Sequence, residues 1–407
     1  MTLPVLLQPA AIASAGDKNR DRASAQTSSR SGARGFITTS YLRIFAYFCA
    51  LFSNRGDYLD KRATACYPRR RFHRLLAVSS WSAMPMSSPS LQLRVGVKTD
   101  PIEYRYSYEW LFRLMAEEGV YQAQIGTFFE LYHLPDDYFR SLRALAATCG
   151  IRIGSVFSAH RELGGFFRFD HPAWERVSRQ QYERLIAVAA LLGAEAAGAN
   201  AGSVLRDRME WKEAGWQRFL YHMKELMHIA RAAGLSYLVV EPMSCLAEPP
   251  TLPDEIVGMA EELQAYHRRH PESTAAVGYC VDVAHGYADR DGRVVWDNMQ
   301  LLEVALPYLH HLHLKNTDSR FQATWGFGAA ERAMGIVDVE AVRDRLLAAA
   351  DRVPVREVVG YLEIGGPKLG RDYADYRLED MLRESLRYLK ASFERTTVPT
   401  SEPVPIP

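Results

Sequence analysis

Paired cysteines are missing from this 407-residue chain: the five present, Cys49, Cys66, Cys149, Cys245 and Cys280, share no short spacing. A zinc ribbon and a disulfide framework are therefore excluded, and a reducing compartment is expected. Long apolar runs are missing as well. The longest uninterrupted one, residues 44–52, has nine members, against the roughly 20 that a bilayer-spanning helix needs. The chain thus reads as soluble and cytoplasmic, with no membrane partner. Nor is there an excess of one charge, since 49 Lys and Arg stand against 48 Asp and Glu. That balance conceals a split: residues 1–90 carry 13 basic and 4 acidic groups, leaving 36 against 44 beyond them. A mildly acidic body argues against retention on nucleic acid by counterion release and favours a small-molecule substrate.

Acidic residues and periodicity are both scarce in the first ninety positions. Residues 11–40 are rich in Ser, Ala and Arg without helical or strand spacing, and Arg69, Arg70, Arg71 and Arg74 cluster beside Pro68. The composition is similar to that of an organelle transit segment. Met84 and Met86, just before the first regular strand, favour instead an upstream extension outside the working protein. Residues 1–90 are expected to be a disordered extension, 91–395 the folded domain and 396–407 a disordered tail.

From residue 93 onward, short β-branched apolar runs alternate with longer amphipathic ones, the pattern of parallel strands joined by crossover helices. Eight strands are predicted, over 93–98, 121–126, 151–158, 194–200, 237–241, 277–282, 309–315 and 358–363. Helices are predicted over 108–118, 136–148, 174–192, 216–233, 254–268, 299–305, 339–350 and 378–392, several closed by a glycine such as Gly119, Gly150, Gly193 or Gly234. Eight strand–helix repeats in about 300 residues match an α/β fold of the (β/α)₈ TIM-barrel class. No Gly-x-Gly-x-x-Gly turn follows the first strand, so a dinucleotide-binding open sheet loses its main support.

In such a barrel the chemistry sits where strands end. Strand five stops at Glu241, strand six at Asp282, strand seven carries His311 and His313, and strand eight ends at Glu363. A single strand-end carboxylate could simply pair with an arginine. Four polar ends on consecutive strands are a different matter, because three buried carboxylates without a cation would each cost several kcal/mol. The oxygen-rich set with one imidazole suits one divalent ion, Mn²⁺, Mg²⁺ or Co²⁺, more than a thiolate-loving one. His313 is the expected ligand, with His311 and His310 in the core or behind it. His285, three residues past Asp282, is placed above the site. Lys315 could meet a phosphate or pair with Asp318. His160, in the loop after strand three, is a candidate for sugar or phosphate contact.

The fragments Val-Val-Glu241-Pro, Val-Asp282-Val-Ala-His285, His311-Leu-His313 and Leu-Glu363-Ile-Gly-Gly, spaced by 41, 31 and 50 residues, together resemble the xylose isomerase-like TIM barrels over roughly 92–392. Within that group the resemblance is to the metal-dependent ketose 3-epimerases, and the runs following His160 and Glu241 are similar to a tetrulose-phosphate epimerase. The resemblance implies an isomerase of carbohydrate metabolism. It also implies a divalent cation, usually Mn²⁺, held by Glu241, Asp282, His313 and Glu363, with the two glutamates as the proton-transfer pair. His285, Glu248 and Arg320 are implied as substrate contacts. Chemistry points the same way, since removing a proton beside a ketone needs a carboxylate base and positive charge to stabilise the enediolate. An aldose–ketose or hydroxypyruvate-type isomerase on the same site stays open, as do a non-catalytic sugar-binding barrel and a homo-oligomer. A three-zinc endonuclease of the same superfamily is disfavoured, because residues 318–328 contain no histidine.

Overall fold

The computed structural model describes residues 91–126, 130–158 and 161–394. The expected extension, the tail and His160 lie outside these residues.

Eight parallel strands close on themselves: β1 (Gln92–Lys98), β2 (Gln122–Gly126), β3 (Arg152–Ser158), β4 (Ala196–Asn200), β5 (Tyr237–Glu241), β6 (Ala276–Asp282), β7 (Leu309–Leu314) and β8 (Glu357–Leu362). Each pairs with its neighbours in sequence, and β1 meets β8 with Leu93 opposite Val358 and Val97 opposite Leu362. A helix follows every strand: α1 (Tyr108–Glu117), α2 (Asp136–Thr148), α3 (Ala173–Leu192), α4 (Lys212–Ala232), α5 (Pro253–Arg269), α6 (Asn298–Ala305), α7 (Val339–Ala348) and α8 (Leu378–Phe393). This is the expected (β/α)₈ barrel. No helix among the described residues is long and apolar enough to cross a membrane.

Local chemistry sets the boundaries. Ser107 starts α1 by accepting the Trp110 N–H on its hydroxyl, and Asp297 and Asp338 do the same for α6 and α7 with their carboxylates. Gly193 closes α3 at φ +76°, in the left-handed region that glycine enters without strain. Apolar helix faces such as Leu111, Phe112, Leu114 and Met115 of α1 are buried in the main apolar core. Each such side chain contributes about 1.5–3 kcal/mol relative to exposure.

The barrel interior is narrower and has its own small apolar cluster of Phe157, Ala196, Val239 and Cys280. Strand β4 reads weakly as a strand because it is Ala- and Gly-rich, and packing supplies the reason. A Cβ on Gly198 would lie 2.2 Å from Val239 Cγ2 and 3.0 Å from Phe157 Cδ2, so small residues there make room for larger ones opposite. Above this cluster the alternation of side chains along each strand brings a polar layer inward, at the carboxyl ends of the strands. Outside the eight repeats lie short helices (Glu130–His133, Ala329–Met334 and Asp372–Asp375) and a two-stranded hairpin (Tyr287–Ala288 with Val294–Trp296) that follows β6, none of them expected from the sequence pattern. The hairpin turn is held by the Asp289 carboxylate, which accepts the N–H groups of Asp291 and Arg293.

Candidate active site

Glu241 ends β5, Asp282 ends β6, His313 sits one residue before the end of β7, and Glu363 directly follows β8. Ligand-capable atoms of these four residues all lie within 4.8 Å of one another. His313 occupies the middle: its Nδ1 is 2.9 Å from Glu241 Oε1 and 3.2 Å from Glu363 Oε2. Its Nε2 is 2.7 Å from Gln124 Oε1. A carbonyl oxygen only accepts, so Nε2 carries a proton and Nδ1 is the nitrogen presented to the carboxylates. Gln124 in turn donates to Ser155 Oγ at 3.2 Å and to His311 Nε2 at 3.0 Å. His311 Nδ1 then donates to His310 Nδ1, 2.8 Å away. His310 and His311 thus stand behind the cluster rather than in it.

Two lysines complete the electrostatics. Lys98, at the end of β1, places Nζ 2.5 Å from both Asp100 Oδ2 and Glu363 Oε1. Lys315 places Nζ 2.5 Å from Asp282 Oδ2 and 3.6 Å from Glu363 Oε2. It therefore pairs with Asp282 and not with Asp318, whose carboxylate accepts the N–H groups of Arg320 and Gln322. Burial alone would push the Glu363 carboxyl up, but His313, Lys98 and Lys315 together hold it well below its usual range. Glu241 is likewise lowered against its burial, chiefly by His313. His313 is raised against its own burial by the two glutamates. Burial pushes the Cys280 thiol far up, with Glu241, Glu363 and Asp282 adding to the shift, so no thiolate competes as a ligand.

The donor set fits a divalent cation. Asp282 Oδ2 is met by Lys315 Nζ at 2.5 Å, whereas Glu363 Oε2 is buried without a hydrogen-bond partner and points at the cluster, an acceptor that a cation would satisfy. An ion that binds oxygen at about 2.0–2.6 Å can be shared by atoms this far apart.

A cavity of about 430 Å³ opens over the cluster, lined by Gly164, Asn200, Gly202, Ser203, Glu241, Met243, Glu248, His285, Lys315, Thr324 and Glu363. Of the four clustered residues, only the two glutamates reach its wall. His313 and Asp282 lie beneath, 0% and 2% exposed. His285 donates from Nδ1 to the Pro242 carbonyl at 2.8 Å, which turns Nε2 toward Lys315 and Asp282. Glu248 is on the wall and pairs with Arg206. Arg320 is exposed, lies beside Gly292 of the hairpin, and is not among the lining residues.

Lys98, Gln124 and Asn200 had no assigned role from sequence. Asn200 donates from Nδ2 to Glu241 Oε2 at 2.7 Å. Two of the three carried a signal, because Lys98 and Asn200 end β1 and β4 just as Glu241 ends β5. Gln124 sits two residues inside β2 and carried none.

The family described as xylose isomerase-like TIM barrel matches residues 112–392. The sequence matches no curated protein. Among solved structures, a provisionally assigned xylose isomerase from Rhodospirillum rubrum shares 19% identity, over 74% of this chain and 99% of that one, with a TM-score of 0.60. D-psicose 3-epimerase from Clostridium cellulolyticum, solved with D-tagatose, shares 17% over 75% and 100%, with a TM-score of 0.54. An L-ribulose 3-epimerase shares 12% over 74% and 95%, with a TM-score of 0.51. At these identities the likeness is one of fold. The family match spans more than two thirds of the sequence, and the chain belongs to the xylose isomerase-like TIM barrel family.

Proposed function

We propose that this chain is an isomerase that epimerises a small ketose or ketose phosphate, with Glu241 and Glu363 as the proton-transfer pair. The observation that carries the reading is that these two carboxylates line the cavity from β5 and β8, on either side of the buried Asp282 and His313. One divalent ion would be held by Glu241, Asp282, His313 and Glu363, and Mn²⁺ suits three carboxylates and an imidazole. When bound, it supplies fixed positive charge opposite the oxygen anion that builds up as the proton leaves carbon.

The protein's own groups do the rest. One glutamate takes the proton from the carbon beside the ketone, and the other returns a proton from the opposite side, which inverts that carbon. Asn200 holds one oxygen of Glu241, and Lys98 holds one oxygen of Glu363, so each base keeps a single working oxygen toward the centre. His285, with its Nδ1–H spent on Pro242, presents Nε2 as an acceptor for which a substrate hydroxyl would compete with Lys315 Nζ, 3.4 Å away, and Lys315 and Glu248 supply a donor and an acceptor on the same wall. Eight of the lining side chains, Asn200, Ser203, Glu241, Glu248, His285, Lys315, Thr324 and Glu363, can hydrogen-bond a polyhydroxylated ligand.

The test is incubation of Mn²⁺-loaded protein in deuterated water with a panel of ketoses and ketose phosphates. Deuterium entering C3 with inversion is the expected result, and it should vanish in Glu363→Gln while the circular dichroism spectrum is unchanged. Scrambling of C1 and C2 would transfer the assignment to an aldose–ketose isomerase. No exchange on any carbon would refute both.

A further inference from the structure

Lys98 is a fully buried ammonium with two carboxylate partners, Asp100 Oδ2 and Glu363 Oε1, each 2.5 Å away. It also lies 5.4 Å from the centre of the Phe157 ring. Glu363 is left with Oε2 alone to offer to the cluster, 3.2 Å from His313 Nδ1 and without a hydrogen-bond partner. Glu241 is restrained differently, since its outer oxygen takes a neutral N–H from Asn200. The two glutamates are alike in type and unlike in tether. A charge-assisted bond is roughly twice as strong as a neutral one, so Glu363 is the less free to swing or to present both oxygens.

We propose that Lys98 is a positioning residue which fixes Glu363 with one oxygen toward the reacting centre, at the expense of cation affinity. The inference rests on the reading of Glu241 and Glu363 as the proton-transfer pair. Two physical effects favour tighter cation binding once Lys98 is gone. Its positive charge no longer opposes a divalent ion one carboxylate away, and Glu363 becomes free to use both oxygens. The gain to the enzyme lies in placement, because transfer of a proton to carbon tolerates little displacement of the base. A residue serving only to hold the fold would behave otherwise: its loss would loosen the cluster and weaken metal binding and turnover together.

The test uses the full chain as Lys98→Met and as Lys98→Met/Asp100→Asn, the second because Asp100 would otherwise remain as a buried charge with no partner. Mn²⁺ alone is titrated into metal-free protein by calorimetry, and C3 exchange is followed on the ketose that the wild type turns over. The single variant should bind Mn²⁺ about tenfold tighter, and the double variant at least as tightly as wild type. Both should lose about a hundredfold in kcat with little change in KM. Weaker Mn²⁺ binding in both variants, or exchange at the wild-type rate, would overturn the inference. A wild type that binds Mn²⁺ yet exchanges no ketose would overturn the epimerase reading instead, while the affinities would still judge the tether on Glu363.

Discussion

Gln124→Met tests the polar layer beneath the candidate active site. Gln124 is fully buried, and its carbonyl oxygen receives the His313 Nε2 proton at 2.7 Å while its amide serves His311 and Ser155. Methionine has nearly the same shape and cannot accept that proton well. A buried N–H left unsatisfied costs about 1–3 kcal/mol, so denaturant unfolding of the metal-free variant should show a loss of that order. The second consequence concerns the cation. With no acceptor on Nε2, the His313 ring loses both its fixed orientation and its preference for presenting Nδ1 to Glu241 and Glu363. Loss of a partner behind a ligating histidine typically weakens metal binding 10- to 100-fold, or about 1.4–2.7 kcal/mol. Calorimetric titration with Mn²⁺ reads this directly, and EDTA-treated protein provides the stability reference. Unchanged Mn²⁺ affinity in a correctly folded variant would refute the claim that Gln124 orients His313 for a cation.

Three further outcomes are expected. Burial, with Arg152 adding to it, pushes the His310 imidazole down to about 4, so the folded state keeps it neutral. Its stabilising contribution is complete above about pH 6.5 and is lost as pH falls through 4, a limb that pH-dependent unfolding should show and His310→Phe should flatten. Glu103 shows the opposite sign: burial together with Asp100 and Glu130 pushes its carboxyl up to about 8. The folded state holds that proton, stability falls as pH rises from about 4.5 through 8, and Glu103→Gln should be more stable than wild type at pH 9 in denaturant titrations. In Gly286→Ala the new methyl would lie 2.2 Å from Phe321 Cζ, so either that ring or the backbone next to His285 must shift. kcat/KM should fall about tenfold with the fold intact, and Phe321→Ala in the same chain should recover most of it; no recovery would show that the clash is not the cause.

Much of the barrel was legible because its two periods are written in the chain. Every predicted strand lies within two residues of its observed bounds, and the helices agree nearly as well except that α4 begins earlier, at Lys212. The strand-end rule brought Glu241, Asp282, His313 and Glu363 to attention because a charged side chain closing an apolar strand is conspicuous. The same rule does not single out Lys98 or Asn200. A lysine or asparagine at a strand end is common on surfaces, and only a contact with a residue from another strand distinguishes it. Arg320 shows the converse, an arginine expected at the substrate from the family resemblance that the fold leaves in solvent beside the hairpin.

By itself the sequence determined the alternation of strand and helix, and with it the barrel and the rim at which Glu241, Asp282, His313 and Glu363 end up, because both follow from local periodicity and from what closes each run. Only the tertiary structure decided which oxygen of Glu363 is spoken for, which nitrogen of His313 faces the cluster and that Lys315 meets Asp282 and not Asp318. Those are matters of hydrogen-bond direction and of a few ångströms between residues that lie tens to hundreds of positions apart, and barrel closure alone sets them.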